Sequence, residues 1–293
     1  MSFNEDQLHR LFAERFQPRA DMLGPGDDCA ILINPPQQFC ISCDQLISGV
    51  HFDEHASARQ IAEKLIGRSL SDLAAAGASP YSCTLTCAFP EDYSAEQSFE
   101  LCNELISVAA WHQLAIIGGD CSSAKQLVLS CTVMGCANGK VPGRNSAKVG
   151  GQIYVSRALG GAVHSGRHLS PTPELALGKL LVEKCSPQAM IDLSDGLDND
   201  LHRILRASNV GARVDVDLLP LNKGCDWQQG VSEGEDYGLL IVLDEAVALT
   251  IDDVLKEDSH RLYRIGEITT SAKLDYQQNS NSVILDTRPF SYS

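Results

Sequence analysis

Aspartates beside small residues mark the ends of several predicted strands in this chain. Asp28 precedes an apolar run, Asp44 closes another, Asp120 follows two glycines, and Asp192 and Asp195 flank a Leu-Ser pair. Mg2+ prefers oxygen ligands and is usually held by a few carboxylates, several waters and substrate phosphates. The pattern therefore predicts one magnesium-dependent phosphoryl-transfer site, and it requires a fold that brings these distant segments together.

The charge of the chain limits its partners. The 293 residues carry 38 acidic and 23 basic side chains, which give a formal net charge of -15. This charge disfavours non-specific binding to nucleic acid or to an anionic membrane surface. An anionic substrate would need cations as intermediaries, which agrees with a divalent-metal site.

The N-terminus and the cysteines predict a cytoplasmic protein. Residues 1–10 are polar and charged, and no apolar run reaches the roughly 18 residues of a membrane span. The 11 cysteines lie mostly in apolar, strand-like runs, which favours reduced core thiols. Cys40 and Cys43 form one CxxC, but side chains three residues apart on a strand point to opposite faces. A core role is therefore favoured over a metal or redox role.

The N-terminal segment predicts a helix followed by a hairpin. The first apolar residues have helical spacing, and their helix is expected to end near Pro18. The apolar runs 29–33 and 39–43 are separated by a Pro-rich turn and predict an antiparallel pair. This pairing would place Asp28 and Asp44 at the same end of the hairpin.

Two later segments combine a structural signal with a functional one. Ser57 predicts the cap of a helix that Gly77 ends, and Asp72 lies in its last turns, where a buried carboxylate needs a partner or a metal. Gly118 and Gly119 follow a predicted short strand. They could let the backbone approach a phosphate closely, or they could form an ordinary turn.

The composition changes between residues 138 and 151, where Gly, Lys, Arg and Pro are frequent. We expect a domain boundary at the far end of this stretch, with residues 1–150 as an N-terminal domain and residues 151–293 as a C-terminal domain. Strands and helices mix in both parts, and the connections need not all be parallel crossovers. The predicted class is therefore α+β with mixed α/β layers.

Six motifs in this order resemble the thiamine-monophosphate kinase family, and they span nearly the whole chain. They are Gly26-Asp27-Asp28-Cys29-Ala30, Ser42-Cys43-Asp44 with His51 and Phe52, Leu70-Ser71-Asp72-Leu73-Ala74-Ala75 with Gly77, Gly118-Gly119-Asp120, Ile191-Asp192-Leu193-Ser194-Asp195-Gly196 and Gly234-Glu235-Asp236-Tyr237. The family belongs to a superfamily with aminoimidazole ribonucleotide synthetase and selenophosphate synthetase. The resemblance implies a two-domain, ATP-binding α+β fold whose N-terminal sheet forms the interface of a homodimer.

The resemblance also implies a reaction and a set of site residues. The reaction is the ATP-dependent phosphorylation of thiamine monophosphate to thiamine diphosphate, assisted by several Mg2+ ions. The implied metal ligands are Asp28, Ser42, Cys43 through its backbone carbonyl, Asp44, Asp72, Asp120, Asp192 and Asp195. The implied nucleotide contacts are Gly119, Asp120, Arg144 and Ser194, the residues acting in the transfer are Asp44, Asp120 and Arg144, and thiamine monophosphate is expected to contact His51, Glu235 and Phe290.

The C-terminal half departs from the family pattern. It is short at 158–166 and between Pro220 and Glu235, and Glu233 stands where the family usually has glycine. These differences concern the substrate side of the site. Two alternatives therefore stay open: a superfamily relative that acts on another substrate, and a non-catalytic protein that binds a nucleotide or a divalent metal.

Overall fold

The computed structural model describes residues 8, 11–12, 14–17, 21–23, 31–32, 38–256 and 260–286. The chain divides into two compact units. The first consists mainly of residues 1–73 and 79–136, and the second mainly of residues 74–78 and 137–291. The main division therefore falls between Cys136 and Ala137, whereas the composition predicts a boundary at Gly150.

Helices and strands alternate along the described chain. The elements before residue 140 are β1 (Met22–Leu23), β2 (Ile31–Leu32), β3 (Phe39–Ile47), α1 (Ala58–Ala75), β4 (Ala78–Phe89), α2 (Ala95–Trp111), β5 (Ala115–Ser123) and β6 (Val128–Ala137). Those after it are β7 (Gln152–Val155), α3 (Leu175–Lys184), β8 (Ala189–Asp192), α4 (Leu197–Ser208), β9 (Gly211–Asp215), α5 (Trp227–Ser232), β10 (Leu239–Leu243), α6 (Glu245–Ala248), α7 (Ile251–Lys256), β11 (Tyr263–Thr269), β12 (Leu274–Gln278) and β13 (Asn281–Val283).

The first unit contains a four-stranded sheet in the order β3-β6-β4-β5. Strands β3 and β6 are antiparallel, whereas β4 and β5 are parallel. Every second residue of β6 is buried, as expected for a strand with one face against a core. Helix α1 packs on this face, because a Cβ added at Gly135 of β6 would lie 2.9 Å from a methyl carbon of Leu73.

The predicted hairpin of 29–33 with 39–43 is wrong for the described residues. Leu32 pairs with Met22 in a separate two-stranded sheet, and β3 pairs with β6 instead. The β3–β6 pairing runs from Phe39 to Ile47 without a break. A nine-residue partner supplies more ladder hydrogen bonds and side-chain pairs than a five-residue run could, so the distant strand is preferred to the adjacent one.

The predicted limits of the helix at 57–77 are confirmed. The Ser57 amide donates to Gln60 Oε1 at 3.0 Å, and the Gln60 amide donates to Ser57 Oγ at 3.2 Å. These reciprocal bonds satisfy donors that the first turn of a helix leaves open. After the helix, Gly77 adopts a left-handed φ of 64°, which ends it.

The second unit contains a seven-stranded sheet in the order β13-β12-β9-β11-β7-β10-β8. Its pairings are antiparallel except for β9 with β12. Alternate residues of its strands belong to two hydrophobic cores. Ile153 of β7 and Leu240 of β10 belong to one, whereas Tyr154 and Ile241 belong to the other. The sheet is therefore covered on both faces.

Two further properties concern the whole described chain. Every cysteine in the described ranges is a free thiol, as the sequence predicts. No helix within these ranges combines the length and the apolar character that crossing a membrane requires.

Candidate functional site

In the first unit, polar residues of β3 and α1 meet inside the interface between sheet and helix. Strand alternation directs Ser42 and Asp44 to the helix side, while Cys43 points to the exposed face. Ser42 Oγ donates a hydrogen bond to Asp72 Oδ2. The structure therefore brings together two predicted metal ligands, and Asp72 finds the partner that its half-buried place in the helix requires.

Asp44 is held by a residue that the sequence prediction missed. Arg68 of α1 donates from Nε to Asp44 Oδ1 at 3.2 Å, and these side chains are only 11% and 19% exposed. Asp44 Oδ2 is buried and has no hydrogen-bond partner in the described part of the chain. A buried carboxylate oxygen without a donor fits a divalent cation, which would satisfy it. The signal for Arg68 is its place four residues before Asp72 on the same helix.

Gly118, Gly119 and Asp120 lie within β5, so the interpretation as a turn is wrong. Gly119 pairs with Leu85 of β4, and a Cβ at Gly119 would lie 2.0 Å from the Leu85 carbonyl oxygen. The pairing shifts register next to Thr84, which brings the two strands this close. The neighbouring strand thus requires glycine at 119 whether or not a ligand approaches its open side.

His51 follows β3 in a tight loop. The Ile47 amide donates to His51 Nδ1 at 3.0 Å. Because Nδ1 accepts this bond, it carries no proton, and the neutral ring has its N–H at Nε2. The neutral His51 ring therefore has a defined tautomer.

In the second unit, the loop after β8 runs beside the loop before β10. The Tyr237 amide donates to the Leu193 carbonyl, and the Glu235 amide donates to the Ser194 carbonyl, both at 2.8 Å. Glu235 and Tyr237 adopt left-handed φ values of 68° and 51°. Asp192 closes β8 and is 5% exposed. The predicted nucleotide and substrate residues of this unit are therefore joined backbone to backbone.

Asp195 sits in a network with two residues of α4. Arg203 bonds both Asp195 Oδ2 and Asp200 Oδ1 through its guanidinium nitrogens. The Asp195 amide donates to Asp200 Oδ2 at 3.1 Å, and Asp200 is fully buried. Burial raises the pKa of the Asp200 carboxyl to about 7, against the opposing effect of the Arg203 charge. Asp200 lies in the first turn of α4, where a carboxylate also favours the helix dipole, and its contacts join it to the predicted ligand Asp195.

The side chain of Asp236 anchors the loop before β10. Its Oδ2 accepts from the Gly160 amide at 2.9 Å, and its Oδ1 accepts from Arg167 at 2.9 Å. Burial raises the pKa of the Asp236 carboxyl, although both of these hydrogen bonds oppose the shift. Glu233, which departs from the family pattern, accepts from the Gly161 amide at 2.5 Å. These two acids attach the loop to consecutive glycine amides.

Some predicted residues are not brought together within the described chain. Asp120 is exposed on β5, and the sheet order separates β5 from β3 by two strands. Arg144 is exposed, and its backbone carbonyl accepts a hydrogen bond from Ser208 Oγ at 2.8 Å. Asp28 and Phe290 lie outside the described residues. Within those residues, no three His, Cys, Asp or Glu side chains form a group that could hold a metal by themselves.

A second network on α4 links a tyrosine, an aspartate and a histidine. Tyr276 Oη donates to Asp198 Oδ1 at 2.9 Å, and His202 Nδ1 lies 3.6 Å from Asp198 Oδ2. His202 Nδ1 also lies 2.8 Å from the Asp198 backbone carbonyl oxygen, and the contacts with the Asp198 carboxylate and carbonyl raise the pKa of His202, although burial opposes the shift. The folded protein therefore binds the His202 proton more tightly than the unfolded chain does.

This raised pKa predicts a pH-dependent contribution to stability. Because the folded pKa exceeds the unfolded value of about 6.5, the His202 contribution is complete below that value and is lost as pH rises through the folded pKa. We expect His202→Gln to lower the free energy of unfolding by about 0.5 kcal/mol more at about pH 5.5 than at about pH 8.5, allowing for solvent screening. Urea unfolding of both proteins at the two pH values measures this. A difference that does not change with pH would contradict it.

The chain is similar in sequence to known domain families and to individual proteins. Models of the AIR synthase related protein match it in two parts, the N-terminal domain at residues 26–137 and the C-terminal domain at residues 175–278. The thiamine-monophosphate kinase of Salmonella typhimurium is 32% identical over 318 residues, which covers 97% of this chain and 96% of the relative. That of Rhodopirellula baltica is 33% identical and covers 78% of each chain.

Solved structures show the same fold. The thiamine-monophosphate kinase from Stenotrophomonas maltophilia has a TM-score of 0.82 at 31% identity, covering 97% of this chain and 99% of the other. AaThiL complexed with AMPPCP and TMP has a TM-score of 0.75 at 21% identity over 86% of each chain, which supports the fold alone. The predicted two-domain α+β fold is confirmed. Because relatives at this identity match almost from end to end, the chain belongs to the thiamine-monophosphate kinase family.

Proposed function

We propose that this protein transfers the γ-phosphoryl group of ATP to thiamine monophosphate, forming thiamine diphosphate and ADP. The observation that carries the proposal is the 32% identity to a thiamine-monophosphate kinase matched over 96% of that relative's length. The grouping of Ser42, Asp44 and Asp72 supports it, since two anionic substrates need oxygen-bound cations on an acidic protein.

The reaction requires little covalent work from the protein. A phosphate oxygen of thiamine monophosphate attacks the γ-phosphorus of ATP in line, the bond from that phosphorus to the bridging oxygen breaks, and ADP leaves with the electron pair. Holding the two phosphates in line and offsetting their negative charge supply most of the rate. We propose that Asp44, Asp120 and Arg144 act on the phosphoryl group during its transfer.

The carboxylates would hold several Mg2+ ions. Bound Mg2+ supplies charge neutralisation and polarisation of the phosphoryl oxygens. Asp44 fits this role because its Oδ2 is buried without a hydrogen-bond partner among the described residues. The proposed ligands are Asp28, Ser42, the Cys43 carbonyl, Asp44, Asp72, Asp120, Asp192 and Asp195.

The remaining predicted residues would bind the two substrates. Arg144 has an exposed guanidinium, whose planar geometry suits phosphate oxygens. His51 would donate from Nε2 to the phosphate of thiamine monophosphate, consistent with the acceptor role of its Nδ1. The proposed nucleotide contacts are Gly119, Asp120, Arg144 and Ser194, and the proposed thiamine monophosphate contacts are His51, Glu235 and Phe290.

An assay of product formation tests the function. Incubation of the protein with ATP, Mg2+ and thiamine monophosphate is expected to yield thiamine diphosphate and ADP in equal amounts, measured by chromatography. ATP binding without product, measured by calorimetry, would favour the non-catalytic alternative. ADP formation only with a different phosphorylated acceptor would favour a superfamily relative with another substrate.

We further propose that the protein is a homodimer joined through the four-stranded sheet. The face of β3 opposite α1 carries Ile41, which is 65% exposed, beside exposed Cys43 and Gln45. An exposed apolar side chain on an edge strand is suited to association. Sedimentation equilibrium of the same preparation tests this, and a monomer at micromolar concentration would contradict it.

A further inference from the structure

Two arginines each hold a proposed metal-binding carboxylate. Arg68 of α1 contacts Asp44 in the first unit, and Arg203 of α4 contacts Asp195 in the second. Each arginine belongs to the same unit as its acid, so each pair is a local feature of its own unit. Neither arginine belongs to the family motifs that the sequence suggests.

Each arginine engages one carboxylate oxygen and leaves the other. Arg68 donates to Oδ1 of Asp44, whose Oδ2 is buried without a hydrogen-bond partner among the described residues. Arg203 bonds Oδ2 of Asp195 and directs its other terminal nitrogen to Asp200. An arginine that only neutralised one carboxylate would favour bidentate bonding, in which two guanidinium nitrogens each bond one of the carboxylate oxygens. The observed geometry orients each acid and keeps one oxygen for another ligand.

Asp200 makes the second pair rigid. It is fully buried, and it accepts from the Asp195 amide at 3.1 Å through Oδ2 while Oδ1 bonds Arg203. Asn199 adds a hydrogen bond from Nδ2 to the Asp195 carbonyl at 3.0 Å. Asp195 is thus fixed through its amide, its carbonyl and one side-chain oxygen.

An arginine close to a cation site has two opposing effects. Its charge repels the cation, and this effect is weak where solvent screens it; the Arg203 side chain is 39% exposed. Its hydrogen bond fixes the ligand, and removal of such supporting groups commonly weakens metal binding by about 10–100-fold. Positioning is therefore expected to outweigh repulsion at Arg203, and to do so by a smaller margin at Arg68, whose side chain is only 11% exposed.

We propose that Arg203 with Asp200, and Arg68, are positioning residues that orient Asp195 and Asp44 for divalent-cation binding at their remaining oxygens. This inference rests on the proposed function, because it concerns the same metal ions. The arginines act through the carboxylates and have no direct contact with the reacting phosphates.

Binding of Mn2+ to the nucleotide-free protein tests the inference without an activity measurement. The free ion is followed by electron paramagnetic resonance, and Mg2+ competes for the bound fraction. We expect Arg203→Met to weaken Mn2+ binding by about 10–100-fold, and Arg68→Met to weaken it by a smaller factor because the lost charge is less screened. Arg203→Lys keeps the charge but replaces the planar, forked donor set with a single ammonium group, so partial recovery is expected. Unchanged or tighter binding by the Met variants would overturn the inference.

Two controls keep the result interpretable. Arg206→Met removes the same charge from the exposed side of α4, and we expect wild-type Mn2+ binding. If Arg203→Met does not fold, the double variant Arg203→Met with Asp200→Asn also replaces the buried carboxyl group that has lost its arginine partner, and it should still bind weakly. A wild-type protein that binds no Mn2+ would refute both this inference and the metal part of the proposed function. Wild-type binding that the substitutions leave unchanged would refute the inference alone.

Discussion

Asp44→Asn is expected to lower the rate of thiamine diphosphate formation by about 10³-fold, with the fold retained. Asparagine has nearly the same shape, and its carbonyl oxygen can still accept the 3.2 Å hydrogen bond from Arg68. The buried second position would change from a carboxylate oxygen to an NH2 group, which cannot bind a cation. Loss of several kcal/mol of transition-state stabilisation from a metal corresponds to a factor of this size. Steady-state kinetics at saturating ATP measure the effect.

A matched control separates this effect from the loss of a charge. Glu91→Gln also removes one carboxylate from the first unit, but Glu91 is an exposed residue in the turn after β4. We expect its turnover to equal that of the wild type. Turnover of Asp44→Asn within a factor of about three of the wild type would rule out a metal role for Asp44, provided that circular dichroism shows a folded protein.

Gly119→Ala is expected to lower the free energy of unfolding by about 3 kcal/mol. Its new Cβ would lie 2.0 Å from the Leu85 carbonyl oxygen and 3.0 Å from the carbonyl carbon. Strand β4 has a neighbour on each side in the sheet, so its backbone cannot move away without breaking a second pairing. Urea unfolding followed by circular dichroism measures the loss.

The adjacent glycine provides the control. A Cβ at Gly118 would lie 3.7 Å from a methyl carbon of Thr84, which is an ordinary contact. Gly118→Ala should therefore change the free energy of unfolding by less than about 1 kcal/mol. Equal effects of the two substitutions would show that the close approach of β4 and β5 is not what requires glycine.

Local signals predicted the elements of this fold better than their partners. The cap at Ser57 and the stop at Gly77 are encoded by neighbouring residues, and the structure places both where the sequence predicts. The pairing of β3 depends on β6, about 90 residues later, and no local pattern specifies such a partner. The hairpin prediction failed because it chose the nearest apolar run.

The residues of the candidate site also include some that local signals predicted and some that only the packed structure shows. Asp44 and Asp195 were predicted as metal ligands from motifs that resemble the family, and that role stays a prediction. Arg68 and Arg203 were missed because an arginine on a helix usually faces solvent, and only the packed structure shows which acid it meets. Helical spacing to Asp72 and Asp200 was the one available signal.

The left-handed backbone at Glu235 and Tyr237 has an evolutionary consequence. Each such residue costs roughly 1–2 kcal/mol relative to an ordinary conformation, and glycine would remove that cost. Glycine at 235 would also delete the carboxylate proposed to meet thiamine monophosphate, and glycine at 237 would delete a buried ring. Deletion of the Tyr237 ring would cost more than the strain it relieves, so only at Glu235 would selection for stability alone favour a variant that has lost a proposed substrate contact.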